Sequence, residues 1–579
     1  MIGACGLAVA LIAILWGSTP MSAQKKPATI SPPDTIYVNG KVWTGPKSES
    51  EVGPDSKMVQ VPLDATVQAF AVRGDRIVAV GTNVEIKRLQ GPKTQMVDLA
   101  GHFVMPGFND AHLHLASGGF EKLNVNLTGA HSLDEMKHRI AERAATAHEG
   151  EWLTGRGWDH TTWPGKTLPT RQDIDAVTGT HPAIFSRVDG HIAVVNTAAL
   201  KAAGITRETK DPMGGRFDRD AQGELTGIVR EDSAMRDIYS KIPEPSQAQR
   251  RRAIELALQD AAQWGVTSAQ DNSSWEDFLV YEELEREGKL TLRITEWLPF
   301  DTDLVLLKAR RTHHAASDPL LHTGMLKGFM DGSLGSRTAA LLVAYSDDPG
   351  NKGLPRYEQS RLNEMARQRV AAGFQLGFHA IGDAAAQMAL DAFADAESNA
   401  VEHTGNSGDF RNRIEHLQVV DPGMLDRMAR LGVIASVQPS HLLTDMNWAE
   451  DRIGPDRAAL SYPLDAAKRA GVQLAFGTDY PVEPITPFRG VYSAVTRMNE
   501  AGTKSYYPEQ KLEIAEALIA YTKGSAFAEF SEKEKGTIER GRLADFIVLD
   551  RDLLTVPPRQ ILGTKVLRTV VGGKTVWAR

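Results

Sequence analysis

The chain has 579 residues, 42% hydrophobic and 24% charged, with a formal net charge of −8. That length exceeds one small domain and suits a large barrel with additions, and the composition supports a sizeable buried core. An acidic balance with no long basic run excludes a nucleic-acid partner, which needs clustered Lys and Arg.

The N-terminus, MIGACGLAVALIAILWGSTPMSAQ, is apolar from Ile2 to Trp16 and then turns to small residues. This is the pattern of a secretory signal peptide over residues 1–23, cut after Ala23, and it predicts a periplasmic or secreted protein. No Lys or Arg precedes the apolar run, so an uncleaved N-terminal anchor is the alternative. The run is short of the about 20 residues that cross a bilayer, and no membrane span is expected after cleavage. Cys5 is the only cysteine. The mature chain would therefore have neither disulfides nor thiolate metal sites. Residues 24–34, QKKPATISPPD, are polar and Pro-rich and read as a linker.

From residue 35 to 103 the text becomes short alternating strands, TIYVNGKVWTG and QAFAVRGDRIVAVG, with Asn39-Gly40 and Gly74-Asp75 as turns. Residues 531–579, with GTIERGRLADFIVLD and VLRTVVGGKTVWA, have the same style. The two pieces are expected to pair into one small β-sandwich domain built from both chain ends.

Between them, over residues 104–530, short apolar strands alternate with helical stretches. The strands are HFVMPGFNDAHLH, WGVTSAQD, LTLRITEWLP, GMLKGFMDG, FQLGFHAIGD, FRNRIEHLQ, VIASVQPS and VQLAFGTDY. Helical periodicity fills most gaps, as in RRAIELALQDAAQWG with Ile254, Leu256, Leu258 and Ala262. Eight β/α units predict an α/β fold, a (β/α)8 TIM-like barrel. The gap after strand one is too long for a crossover, and an inserted subdomain over about residues 118–250 is expected to cover the barrel mouth. Trp158, Trp163 and Tyr480 would line that mouth as apolar walls.

Active sites of such barrels lie at the C-terminal ends of the strands. There the sequence places His112 and His114, Lys327, His379, His416 and Asp479. A strand period of two turns His112 and His114 to the same side. Each residue alone has an ordinary reading: a packed histidine, a snorkelling lysine, an aspartate capping a helix. Their recurrence at the same end of different strands favours one shared site.

The segments MPGFNDAHLHL, KGFMDGSLGSRTA, GFHAIGD, RIEHLQ and FGTDYPV, in this order, resemble the amidohydrolase superfamily, and within it the family 3 branch that includes N-substituted formamide deformylases. The resemblance implies metal-assisted hydrolysis. It implies that His112 and His114 bind one divalent metal and His379 and His416 a second, with a carbamylated Lys327 bridging them. Asp479 would be both a ligand and the general base for a metal-activated hydroxide. Zinc suits imidazole and carboxylate, as do Mn, Fe and Co. His191, in DGHIAVVNTAAL, resembles a motif of the same branch and would reach the substrate from the insertion. Arg337 and Arg156 would bind an anionic group, or else form structural ion pairs. Asp331 and Asp383 would orient ligands or cap helices.

The expected activity is hydrolysis of a C–N bond in a small amide or N-acyl substrate. A deaminase or cyclic-amide hydrolase on the same fold is one rival, against which Lys327 speaks. A non-catalytic metabolite-binding or regulatory barrel is another, and a structural zinc protein a third. The substrate is not legible in the sequence, and a homo-oligomer is left open.

Overall fold

The computed structural model describes residues 31–46, 65–187, 192–212, 215–405 and 408–579. The signal peptide expected at 1–23, the linker up to residue 30 and His191 lie outside the described residues. No helix among the described residues is long and apolar enough to cross a membrane.

The central scaffold is the expected barrel. Its strands are β1 (Phe108–Leu113), β2 (Val266–Asp271), β3 (Arg293–Pro299), β4 (Leu321–Phe329), β5 (Leu376–Ala380), β6 (Arg413–His416), β7 (Ile434–Val437) and β8 (Leu474–Phe476). They follow one another around the sheet in chain order, and the paired neighbours are parallel. Just beyond β8 the Asp479 N–H donates to the His112 carbonyl (2.7 Å) and the His114 N–H to the Tyr480 carbonyl (2.8 Å). These two bonds draw β8 onto β1 and nearly close the barrel. Asp110 pins the same seam by accepting the Thr478 N–H at 3.0 Å and its hydroxyl at 2.6 Å.

The first predicted strand, HFVMPGFNDAHLH, is in fact two. Phe103–Pro106 belongs to the sandwich, paired with Lys41–Trp43 on one side and Phe546–Leu549 on the other, and β1 starts after Gly107. A side chain at Gly107 would meet Thr267 at 2.2 Å, so only glycine lets the chain pass from one sheet to the other at this point.

The sandwich has a four-stranded and a six-stranded sheet. The larger holds Lys41–Trp43 from one end of the chain and Val566–Val571 and Lys574–Ala578 from the other. Tyr37, Phe70 and Phe546 stack and edge-pack between the sheets at centroid distances of 4.8–5.0 Å. The insertion has its own six-stranded sheet, from Val125–Asn126 to Arg216–Arg219 and Leu225–Arg230. Trp158 and Trp163 lie in its core, their indole N–H groups donating to the Phe185 and Ala130 carbonyls at 2.8 Å. They do not line the barrel mouth as expected, because each buried indole needs an acceptor and finds it inside the insertion.

After β1, helix α1 (Leu115–Leu123) packs on α2 (Gln247–Gln263), which leads into β2. A Ser246–Gln249 capping box starts α2, and Ala253, Ile254, Ala257, Leu258, Ala261 and Ala262 form its buried face. Leu256 falls off that face, unlike the expected stripe. Helix α1 comes close because it presents glycine. A Cβ at Gly119 would lie 1.9 Å from the Ala253 carbonyl oxygen, and one at Gly118 1.8 Å from the Tyr480 ring.

Candidate metal centre

The six residues from the strand tips come together at the C-terminal mouth of the barrel. His112 is buried at the end of β1, and His114 stands one residue beyond that strand, at the start of α1. Asp479 Oδ1 lies 3.1 Å from His114 Nε2 and 3.6 Å from His112 Nε2. Lys327 Nζ is 3.1 Å from the same His112 nitrogen. The His416 ring sits 4.9 Å from that of His112 and 4.5 Å from that of His379.

Three of the imidazoles have one nitrogen committed to a protein acceptor. His112 Nδ1 donates to Glu415 Oε2 (2.8 Å), His114 Nδ1 to the Asn272 carbonyl (3.0 Å), and His379 Nε2 to the Gly332 carbonyl (2.9 Å). Each bond leaves the other nitrogen with its lone pair free, the tautomer that a cation requires. For His112 and His114 that nitrogen faces Asp479. Asp331 stands behind His379, its Oδ1 3.4 Å from Nε2, and accepts the N–H groups of Ala340, Ile381 and Gly382. Asp383 begins the helix after β5 and accepts the Leu342 N–H.

Charge states follow from burial and neighbours. Burial, then the Lys327 ammonium, lowers His112 to about 4. Burial likewise brings His379 down to about 3 and holds His416 well below the usual histidine value. Burial lowers Lys327 to about 8, against the pull of Glu415 and Asp479. Burial raises Asp479, yet the neighbouring imidazoles of His112, His114 and His441 outweigh it and keep the carboxyl well below the ordinary range. At neutral pH the site thus offers neutral His112, His379 and His416, the Asp479 carboxylate and an easily deprotonated amine, which are the protonation states of ligands.

The donor set fits divalent cations. Among the described residues, His112, His114 and Asp479 can each aim one ligand atom at a common point, and so can His416, His441 and Asp479. Three buried atoms in this cluster have no hydrogen-bond partner: His416 Nδ1, His441 Nε2 and Asp479 Oδ1. Buried polar atoms are rarely left unpaired, and three in one cluster of metal-ligating types fit a cation site.

The family model described as the amidohydrolase family matches residues 95–577. The chain belongs to the amidohydrolase family. This amidohydrolase is 33% identical to the protein LONG AFTER FAR-RED 3 of Arabidopsis thaliana over 94% of its own length and 91% of the relative's. It is 27% identical to an N-substituted formamide deformylase of Arthrobacter pascens, over 88% and 95% of the two chains. Among solved structures, a metal-dependent hydrolase of Pyrococcus furiosus matches with a TM-score of 0.73 and 30% identity, over 90% of this chain and all of that one. At this level the amidohydrolase is a metal-dependent hydrolase with candidate metal-binding residues at the barrel mouth.

The remaining sequence candidates stand apart from the amidohydrolase's histidine cluster. Arg337 forms a bidentate ion pair with Asp347. Tyr480 turns its ring onto Gly118 and its hydroxyl to 3.4 Å from Asp260. Arg156 is exposed and lines, with Tyr480, a lateral cavity of about 1010 Å³ bordered by neither the histidines nor Asp479. Four residues escaped the sequence reading. His441 follows β7 and lies 3.4 Å from Asp479 Oδ2. Glu415 bonds His112 and Arg413. Gln438 lies 3.2 Å from His112 Nδ1. Trp297 sets its ring edge-on to His112 and beneath the Lys327 ammonium. The signal for His441 was present: a histidine four residues past a strand tip, in VIASVQPSH.

Proposed function

We propose that the protein hydrolyses a C–N bond of a small amide or N-acyl substrate, with Asp479 as the general base. The observation that carries this reading is the meeting of His112 Nε2, His114 Nε2, Lys327 Nζ and Asp479 Oδ1 within 3.1–3.6 Å contacts at one strand end of the barrel. His112 and His114 would hold one divalent cation, and His379 and His416 a second, with Lys327 between them. Zinc is the first choice for imidazole and carboxylate donors. Bound cations supply a Lewis acid for the substrate carbonyl and lower the pKa of water to about 7.

The chain's own groups do the rest. Lys327 cannot ligate as an ammonium, since it has no lone pair. Its lowered pKa of about 8 gives it an appreciable neutral fraction, the form that adds carbon dioxide and releases a proton to become a carbamate, whose oxygens would help to hold the cations. Asp479 stays ionised, accepts a proton from the attacking water and returns it to the leaving nitrogen. His441, 3.4 Å from Asp479 Oδ2, can share that proton. Glu415 and the Asn272 carbonyl hold the His112 and His114 rings in place. The amide class is supported by likeness to a relative named an N-substituted formamide deformylase.

The test is a panel of N-formyl and N-acyl amines with zinc-loaded wild type and Asp479→Asn. The variant should keep its fold and lose about 10²–10⁴-fold in kcat/KM. Equal turnover by both proteins would overturn the assignment. Elemental analysis with and without added bicarbonate reads the part played by Lys327. Metal content that ignores bicarbonate would remove the carbamate.

A further inference from the structure

A second group of metal-ligating side chains lies far from the barrel mouth. Helix α3 (Trp275–Arg286) follows β2, and its last turns carry Glu282 and Glu285. The loop that enters β4 carries His313, His314 and Asp318. Both places are at the N-terminal face of the barrel, opposite His112 and Asp479.

The geometry is that of a supported histidine ligand. Glu282 Oε1 accepts from His314 Nδ1 at 2.8 Å, which leaves Nε2 as the lone-pair nitrogen. Nε2 lies 3.4 Å from Glu285 Oε2 and 3.6 Å from Asp318 Oδ2. The three side chains can each aim one ligand atom at a common point. His314 Nε2 is itself a buried atom with no hydrogen-bond partner. Asp318 divides its labour: Oδ1 accepts the Leu320 N–H at 2.7 Å, and Oδ2 is left for the cluster. Asp318 keeps 29% of its side chain exposed, so solvent and ions reach the group.

The charge around it is unbalanced. Among the described residues, no Lys or Arg pairs with Glu282, Glu285 or Asp318, whose ion-pair partners are His313 and His314. Arg293 feels Asp318, but its guanidinium is spent on Asp545 and the Pro319 carbonyl. Glu282 and Glu285 also sit at a helix C-terminus, where the backbone dipole disfavours negative charge. Burial and then Asp318 raise Glu285, as expected of two carboxyls facing each other. Burial lowers His314, but the acids outweigh it and raise its proton affinity. A field that favours a proton at that nitrogen also favours a dication.

We propose that Glu285, His314 and Asp318 form a second, non-catalytic divalent-cation site of the zinc type, which ties the end of α3 to the loop before β4. One imidazole and two carboxylates, with a third carboxylate orienting the ring, are donors that zinc accepts.

The probe is zinc chloride added to metal-stripped full-length protein, followed by desalting and elemental analysis. Wild type should hold one zinc equivalent more than His314→Gln. A His112→Asn/His416→Asn/Asp479→Asn protein, disabled in both halves of the barrel mouth, should still take up that equivalent and show a higher Tm with zinc than without. Adding His314→Gln to this background should abolish both. Should His314→Gln misfold by circular dichroism, Asp318→Asn serves instead, since its amide oxygen can still accept the Leu320 N–H. Equal zinc content with and without these substitutions, and a Tm indifferent to zinc in the disabled background, would overturn the site and leave His314 as a protonated ion-pair partner.

Discussion

At the scale of single residues, Glu415 decides how His112 is presented. It is wholly buried, accepts from His112 Nδ1 and pairs with Arg413 through Oε1 at 2.9 Å. Burial alone would raise it, yet Arg413, then His112, bring it down to about 2. The sign follows. The folded value lies below the unfolded one near 4.5, so the group stabilises the fold above pH 4.5, and that contribution is lost as pH falls toward 2. Glu415→Gln keeps an acceptor for His112 but leaves the Arg413 guanidinium buried without its counter-charge. The variant should bind zinc about 10–100-fold more weakly in chelator competition at pH 7. It should also lose the wild type's extra sensitivity to acid below pH 4.5. Unchanged zinc affinity would mean that the negative charge of Glu415 adds nothing to His112 as a ligand.

Glu415 also explains what the sequence hid. Strand alternation sets Glu415 and His416 on opposite faces of β6. In the structure both face His112, because β6 ends at His416, whose backbone is left-handed with φ of +74°. Asp479 is left-handed too, with φ of +58°. Such backbone costs on the order of 1–3 kcal/mol and gathers at functional sites. No periodicity rule anticipates it, so a residue beside a candidate ligand gave no sign of its own role.

At the scale of elements, the barrel strands were legible because each is a short apolar run set between helical stretches. Their tips were legible because His, Lys and Asp interrupt those runs. The junction at Gly107 was not, since Phe103–Pro106 and β1 are one apolar text whose break depends on Thr267, far along the chain. His441 was missed because it opens the short helix His441–Asp445 after β7 rather than lying on the strand. The tryptophans were misplaced because composition does not say which sheet buries them.

The long helix after β5, α4 (Asp383–Thr404), carries a prediction of its own. Its Glu397 is half-buried and accepts from Asn412 Nδ2 at 2.8 Å, beside the entry to β6. Burial raises it to about 7. The folded state therefore keeps a proton between pH 4.5 and 7 that the unfolded chain releases. Stability falls as pH rises through that window, and the full cost is present above 7. Glu397→Gln retains the acceptor and removes the charge. It should raise stability by about 1 kcal/mol at pH 8, after discounting for solvent screening, and change little at pH 4. Thermal unfolding of both proteins at the two pH values reads the difference. A gain of equal size at both would show that packing, not ionisation, is responsible.

At the scale of the whole molecule, the barrel and the sandwich share more than the chain at Gly107. Arg293 on β3 reaches across to Asp545 beside the sandwich strand Phe546–Leu549, with bonds of 2.6 and 2.9 Å. Both side chains are almost fully buried, and Asp545 also accepts the Gly572 N–H at 2.7 Å. Removing one member of such a pair strands a buried charge, which costs about 3–5 kcal/mol, while replacing both with apolar groups is often nearly neutral. Asp545→Ala should therefore destabilise the protein by about that amount. Because the lost bond crosses two cores, its unfolding in urea should resolve into two steps where the wild type should show one. The double variant Arg293→Met/Asp545→Leu should recover most of the loss. It should not restore a single step if the directional bond, rather than buried area, couples the two units. Recovery of both stability and a single step would assign the coupling to the apolar contact between barrel and sandwich. A single variant as stable as wild type would show that Pro319 and solvent satisfy Arg293 without its acid.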